Sequence, residues 1–153
     1  MSKELTQFKY EQLDESTADF LRQKELNMRE IVGKAYTELG KELYEAQQEL
    51  AGSRYDGVFE QWYTYLGWKK RTVYNLIDRF TEVQKLHDGD VRERFEEIPV
   101  TLSYEISGKS SESTPAKAQA KAEVLAGDIA TLKEYRERIK ELERKAEQAE
   151  QEA

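Results

Sequence analysis

The sequence predicts an all-α protein, and three features of its 153 residues indicate this class. Charged residues make up 36% of the chain and apolar residues 38%, a balance that suits amphipathic helices. Glycine and proline number only 8 and 2, too few for the frequent turns of a sheet sandwich. Apolar residues also recur at spacings of three and four, as on a helix with one buried face.

A long N-terminal helix is predicted over residues 17–51, with Ser16 as its N-cap. Gly33 and Gly40 lie seven residues apart, on one face of this helix, where they allow close contact with another helix. A break near Gly33 that makes two helices is the alternative. The buried stripe predicted along the helix comprises Phe20, Leu21, Leu26, Ile31, Val32, Ala35, Tyr36, Leu39, Leu43, Ala46 and Leu50.

The rest of the chain divides at changes in composition. Residues 1–14 are expected to be a flexible arm, and residues 15–107 a helical domain with a helix-turn-helix core and a small helical subdomain. The segment GKSSESTP contains the predicted flexible linker, residues 108–114. A helical C-terminal segment, residues 115–153, follows the linker.

The C-terminal helix has coiled-coil character from about residue 129. Its apolar residues alternate at spacings of three and four, which is the a/d pattern of a heptad repeat. One interpretation is a dimerisation seam, and the other is a solvated helix that packs on its own domain. The seam residues are Leu132, Tyr135, Ile139, Leu142 and Ala146.

Several classes of function are disfavoured by what the chain lacks. It has no cysteine and one histidine, His87, so disulfides, thiolate metal sites and His-rich metal sites are excluded, and we expect no metal or cofactor. No apolar run approaches the roughly 18 residues of a membrane span, and the first residues lack the apolar centre of a signal peptide. Acidic pairs such as Glu96 and Glu97 have no nucleophile or phosphate loop beside them, so we expect no enzyme.

The segment FEQWYTYLGWKKRTVYNLIDRF, residues 59–80, matches the pattern of a helix-turn-helix. Counting from Phe59, the ninth residue is Gly67, which suits the tight turn. Tyr63 stands at the fifth position, where the helices pass closest and alanine is usual. The residues expected to clamp the two helices together are Phe59, Trp62, Leu66, Trp68, Val73 and Leu76.

With the clamp facing inward, the second helix exposes side chains that suit DNA. Arg71, Tyr74 and Asn75 are predicted to reach base edges, because arginine can bind guanine and asparagine can bind adenine with paired hydrogen bonds. The residues assigned to the DNA backbone are Lys69, Lys70, Thr72 and Arg79. Residues 54–86 carry six basic and four acidic side chains, the only basic excess in a chain of net charge −7.

Three other interpretations of the chain remain. In the first, the segment 59–80 is a helical hairpin whose basic face is merely solvated. In the second, the aromatic residues in and just before this segment form a base-stacking platform for single strands. That platform would comprise Tyr55, Phe59, Trp62, Tyr63, Tyr65 and Trp68. The third is a helical adaptor that binds and inhibits a host or defence protein through the long helix or the C-terminal coiled coil.

Beyond these patterns, the chain resembles a family of small proteins carried by phages and other mobile elements of Gram-positive bacteria. The resemblance covers nearly the whole chain and implies a bacterial or phage origin and a nucleic-acid role. The segments that carry it are FKYEQLDESTADFL, IVGKAYTELGKELYEAQQEL, FEQWYTYLGWKKRTVYNLIDRF, EEIPVTLSYEI and VLAGDIATLKEY. The lack of cysteine, of an apolar span and of a signal peptide predicts the cytoplasm of the bacterial host as the location of the protein.

A second resemblance is to the helix-turn-helix domains of plasmid-partition proteins of the ParB and KorB type. In these domains a small helical subdomain follows the recognition helix, and GDIAT at residues 127–131 is similar to a step in it. The nucleotide-binding motifs of the partition proteins are absent, so no CTP-driven behaviour is expected. The sequence as a whole predicts a homodimer that binds double-stranded DNA and regulates transcription, replication or maintenance of a mobile element.

Overall fold

The computed structural model describes residues 8–152, and this part of the chain is helical without strands. The all-α fold class is therefore confirmed. No helix in these residues is both long enough and apolar enough to cross a membrane. Short 3-10 turns occur at Tyr10–Gln12 and Ser53–Tyr55. The α-helices are α1 (Glu15–Glu49), α2 (Val58–Tyr65), α3 (Lys70–Lys85), α4 (Gly89–Glu97), α5 (Val100–Ser107), α6 (Pro115–Ala126) and α7 (Leu132–Glu152).

Helix α1 is one continuous rod of 35 residues, about 52 Å long at 1.5 Å per residue. It begins two residues earlier than predicted. The N-cap is Asp14 rather than Ser16, because the Asp14 carboxylate accepts a hydrogen bond from the Thr17 N–H at 3.1 Å. The predicted alternative of a break near Gly33 is wrong, since helical backbone runs through that residue.

The two buried glycines of α1 are the points at which other helices approach its backbone. A Cβ atom at Gly33 would overlap the carbonyl oxygen of Glu96 in α4. One at Gly40 would overlap the carbonyl oxygen of Leu76 in α3. The predicted role of this glycine face in close helix contact is confirmed.

The N-terminal half of α1 departs from the predicted buried stripe. Phe20, Ile31 and Val32 are exposed, because the helices that cover α1 lie against its glycine face instead. Of the predicted arm, residues 1–7 lie outside the described residues. In the remainder, Tyr10 packs edge-to-face against Phe8 and lies under the guanidinium of Arg22, 4.4 Å from it.

Two hydrophobic clusters form the core, and α3 contributes to both. The first joins α1, α2 and α3 through Leu43, Phe59, Tyr63, Val73, Leu76 and Ile77. The second joins α3 to the rest of the chain through Val83, Phe95, Leu102, Ile106, Ala120, Val124, Ile129 and Tyr135.

The predicted boundary at residues 108–114 does not separate two cores, since residues on both sides of it share the second cluster. The segment folds into turns, and its Ser111 is buried. The Ser111 hydroxyl accepts a hydrogen bond from the Lys121 ammonium at 3.3 Å. Residues 108–114 are thus attached to the rest of the fold at Ser111, while four of the seven residues are exposed.

Most of the apolar seam of α7 is used within the chain. Tyr135 is buried in the second cluster, and Leu132 and Ile139 pack against it. The chain's own core therefore covers Tyr135 and part of Leu132 and Ile139, whereas the predicted dimerisation of this seam stays a prediction. Leu142 is half-buried and Ala146 is exposed near the end of the helix.

We predict that Gly40→Ala lowers the free energy of unfolding by about 1–3 kcal/mol, because the added methyl overlaps the Leu76 carbonyl. Helix propensity alone predicts the opposite effect, because replacing glycine by alanine within a helix raises the free energy of unfolding by about 1 kcal/mol. Urea unfolding followed by circular dichroism measures the change. Lys41→Ala, at an exposed neighbour, is the control and should stay within about 0.5 kcal/mol of the wild type. A stabilised Gly40→Ala protein would contradict the packing described.

Candidate nucleic-acid interface

Helices α2 and α3 are joined by a tight turn of four residues, 66–69. Gly67 adopts φ +93°, a conformation that favours glycine, so its predicted place in the turn is confirmed. The Gly67 N–H donates to the Thr64 carbonyl and the Trp68 N–H to the Tyr63 carbonyl, both at 2.9 Å. The turn is therefore held by backbone hydrogen bonds as well as by its glycine.

The contacts between α2 and α3 differ in part from the predicted clamp. Phe59, Val73 and Leu76 are buried and Trp68 is half-buried, as expected. Tyr63, at the position where alanine is usual, is only 2% exposed.

Two predicted clamp residues lie outside the interface. Trp62 and Leu66 are exposed, at 38% and 47%. The ring of Tyr63 takes the place of these side chains, packing edge-to-face against Phe59 with centroids 5.1 Å apart. The sequence signal was the four-residue spacing of Phe59 and Tyr63, which puts both on one face of α2.

The first turn of α3 carries an exposed basic face, which we define as Lys69, Lys70 and Arg71. None of the three forms an ion pair with a carboxylate of residues 8–152. Between Glu60 and Asp78 the sequence contains these three cations and no acidic residue. The positive charge is therefore not neutralised locally.

The other predicted contact residues divide between surface and core. Thr72 is exposed beside the basic face, and Asn75 is half-buried one turn further along α3. Tyr74 is half-buried because its ring packs edge-to-face on Phe59, with centroids 6.3 Å apart. Tyr74 therefore serves packing as well as forming part of the surface.

Arg79 is not part of this surface, and its predicted DNA contact is wrong. It is 0% exposed. Its Nε donates to the Ser103 hydroxyl at 3.0 Å, and one Nη donates to the Gly33 carbonyl at 2.9 Å and to the Thr37 hydroxyl. Burial lowers the pKa of the Arg79 guanidinium, which stays protonated at neutral pH.

A sequence signal for the burial of Arg79 was present. Arg79 follows Leu76 by three residues and precedes Val83 by four, so helical spacing puts it on the buried face of α3. Its charge instead favoured the prediction of an exposed side chain, because arginine is rarely buried without a charged partner. Neutral hydroxyl and carbonyl acceptors take the place of that partner here.

The N-terminus of α3 is electrostatically suited to an anion. Lys69 occupies the N-cap with extended backbone (φ −94°, ψ 147°), but no side chain caps the helix and its first turn holds no acidic residue. The side chains of Asp14, Asp88 and Thr114 cap α1, α4 and α6 by accepting hydrogen bonds, whereas α2 and α5 lack such a cap, as α3 does. Uncapped N–H groups, the positive end of the helix dipole and three cations therefore coincide at α3.

The second half of α3 is enclosed by other parts of the chain. A polar cleft of about 500 Å³ runs beside it and contains a buried ion pair, in which the Lys121 ammonium lies 3.0 Å from Glu82. Glu112 lies 2.8 Å from the same ammonium. Burial raises the pKa of the Asp78 carboxyl in this cleft, although Lys109 and Lys85 act in the opposite direction. Within the second half of α3, only Gln84 and Lys85 at its end are exposed.

One acidic cluster lies elsewhere, between α1 and α4. Carboxylate oxygens of Glu30, Glu93 and Glu97 are all within 4.8 Å of one another. Burial raises the pKa of the Glu97 carboxyl, and a hydrogen bond to Glu30 and its charge add to the effect. The three side chains are exposed or half-buried, and clusters of this kind are common on protein surfaces, so we assign no metal to them.

Comparison of the chain with protein-family models, curated proteins and solved structures found no match. The resemblances to the mobile-element family and to partition proteins therefore stay predictions.

Replacing the N-cap of α3 is expected to stabilise the protein. Lys69→Ser should raise the free energy of unfolding by about 1 kcal/mol, because serine can accept a hydrogen bond from the first-turn N–H groups and a cation leaves the positive end of the helix. Lys70→Ser removes the same charge one residue later, where it cannot cap, and is the matched control. Equal effects of the two substitutions in chemical denaturation would contradict the capping argument.

The acidic cluster generates a pH-dependent prediction. Because the pKa of Glu97 is raised in the folded chain, ionising it opposes folding above its ordinary value of 4.5. Glu97→Gln should therefore stabilise the protein at neutral pH, and the gain should vanish as the pH falls below that value. Glu38→Gln, at an exposed carboxylate outside the cluster, is the control. Thermal unfolding across this pH range tests the prediction, and a pH-independent effect would refute it.

Proposed function

We propose that this protein binds duplex DNA through the first half of α3. The observation that carries the proposal is the basic face, three exposed cations without carboxylate partners in residues 8–152, at an uncapped helix N-terminus beyond a tight turn. Phosphate groups suit such a position, because helix N–H groups, the helix dipole and the cations all attract negative charge. The start of a recognition helix is also the part that usually reaches base edges.

Within this surface the residues divide by chemistry. We assign Lys69, Lys70 and Thr72 to the DNA backbone, because ammonium and hydroxyl groups bind phosphate oxygens. Arg71 and Asn75 suit base edges, since arginine binds guanine and asparagine binds adenine through paired hydrogen bonds. Tyr74 contributes its half-buried edge only.

We expect the net charge of −7 to affect how tightly the protein binds DNA, but not which surface binds it. Screening limits the reach of exposed charges to about 8 Å at physiological salt, so the local cations dominate at the interface. The acidic surroundings oppose non-specific attachment, and we expect affinity to fall steeply with salt. Regulation of transcription, replication or maintenance of a mobile element is the biological role that we propose for such binding.

A protein-binding adaptor is the second candidate, and one observation favours it. Four large apolar side chains in the first half of α1, Phe20, Met28, Ile31 and Val32, are 44–66% exposed. Exposed apolar side chains on one element are typical of protein interaction sites. A homodimer would need such a surface, because the α7 seam is largely covered within the chain.

Charge reversal on α3 tests the DNA-binding proposal. The variant Lys70→Glu/Arg71→Glu should lose at least about tenfold in affinity for a random-sequence duplex, because it replaces cations that bind phosphate and bases. Acidic residues in the first helical turn favour the helix, so loss of folding is not expected. Fluorescence anisotropy at several salt concentrations measures the affinity, and the salt slope should fall by about one for each phosphate that the variant no longer neutralises.

Lys140→Glu/Arg144→Glu on α7 is the matched control, since it makes the same change of charge at two exposed helical residues. It should leave the affinity within about twofold of the wild type, because it changes only the long-range field. Equal losses in the two variants would show that overall charge decides binding and would overturn the assigned site. Unchanged binding by the α3 variant would do the same.

A further inference from the structure

Beside the basic face, α2 and the residue that follows it present three apolar side chains to solvent, Trp62, Tyr65 and Leu66, which we call the apolar tip. Tyr65 is 84% exposed, Leu66 47% and Trp62 38%. Spacings of three and four along α2 put the three residues next to one another on its surface. Within residues 8–152, Tyr65 is the most exposed of the large apolar and aromatic side chains, and packing does not account for its ring.

The apolar tip and the basic face belong to one compact structural unit. Tyr65 precedes Lys69 by four residues, so their Cα atoms are at most about 14 Å apart. The connecting turn is closed by hydrogen bonds from the N–H groups of Leu66, Gly67 and Trp68 to α2 carbonyls. Phe59 and Tyr63 anchor α2 in the first hydrophobic cluster. The tip is therefore held at a fixed position relative to the cations.

This arrangement combines the two elements of binding to unstacked bases. Cations hold the phosphate backbone, and an exposed aromatic ring stacks on a base that has left the helix. Apolar side chains also insert between base steps and open them. Paired B-form DNA keeps its bases stacked, so an exposed ring held near phosphate-binding side chains gains most where bases are already unpaired.

We propose that Tyr65 and Leu66 contact unpaired bases, and that the preferred ligand of this surface is duplex DNA with a locally open segment. This inference rests on the proposed DNA binding by α3. DNA is favoured over a protein partner because the three cations beside the tip have no carboxylate partner in residues 8–152, and no acidic residue lies between Glu60 and Asp78. It is favoured over a lipid surface because Thr72 and Asn75 continue the face with groups that suit nucleic acid.

The test compares two labelled duplexes that share one strand, one fully paired and one with a central run of mispaired bases. Fluorescence anisotropy should show about tenfold tighter binding of the full-length protein to the open duplex, the magnitude expected of one stacked base. Tyr65→Ala should remove this preference while leaving affinity for the paired duplex within about twofold, because the substitution removes stacking but no phosphate contact. Tyr65→Phe keeps the ring and should keep the preference. Phe20→Ala removes an exposed ring from α1 and is the matched control.

The outcomes separate this inference from the proposed function. Equal binding of both duplexes by the wild type, or a preference that survives Tyr65→Ala, overturns the role of the tip and leaves duplex binding in place. Failure to bind either duplex overturns both. Binding to vesicles of phosphatidylserine and phosphatidylcholine that is lost in Tyr65→Ala, without a preference for the open duplex, assigns the tip to a lipid surface and also overturns the inference.

Discussion

The guanidinium of Arg79 lies where α1, α3 and α5 meet, and the packing of these helices on one another depends on this junction. From α3 it donates to the Gly33 carbonyl and Thr37 hydroxyl of α1 and to the Ser103 hydroxyl of α5. Its plane lies over the Phe95 ring of α4, 5.1 Å from the centroid. One long side chain therefore connects four helices.

The junction also depends on Gly33, because this residue has no side chain. Gly33 allows the backbone of α4 to reach α1, and its carbonyl accepts the hydrogen bond from Arg79. The junction has a free-energy cost, because a buried cation donates hydrogen bonds to neutral acceptors and one Nη atom has no protein partner among residues 8–152. That cost is offset by hydrogen bonds to an ionised donor, which are stronger than neutral ones.

Arg79 anchors the second half of α3 in the core, whereas the start of the helix is exposed to solvent. Its second half holds Arg79, Glu82 and Val83 within the core, and its first half holds the basic face in solvent. The three cations of the basic face lie at the positive end of the uncapped helix α3. This repulsion is unfavourable for the folded protein when no anion is bound there. An anion at that end would relieve the repulsion, and this links the charge arrangement at the start of α3 to the proposed binding of DNA.

Helical periodicity and scarcity of turn residues were enough to predict the all-α class, the long helix α1, and a helix pair joined at Gly67. These features depend on local properties: spacing of apolar residues, the φ angle that a turn needs, and glycine on one face. The exposed cations at the start of α3 were also predictable, since they precede the buried positions Val73 and Leu76.

Tertiary packing decided what local pattern could not. Arg79 is inside because Ser103, distant in sequence, and the carbonyl of Gly33 supply acceptors that no local pattern reveals. The seam at Leu132 and Tyr135 faces the chain's own core, because α6 and α7 fold back on α5. The heptad pattern could not show this, since it is equally compatible with packing against a second chain. Spacing along one helix shows which residues share a face, but only the arrangement of the other helices determines what that face meets.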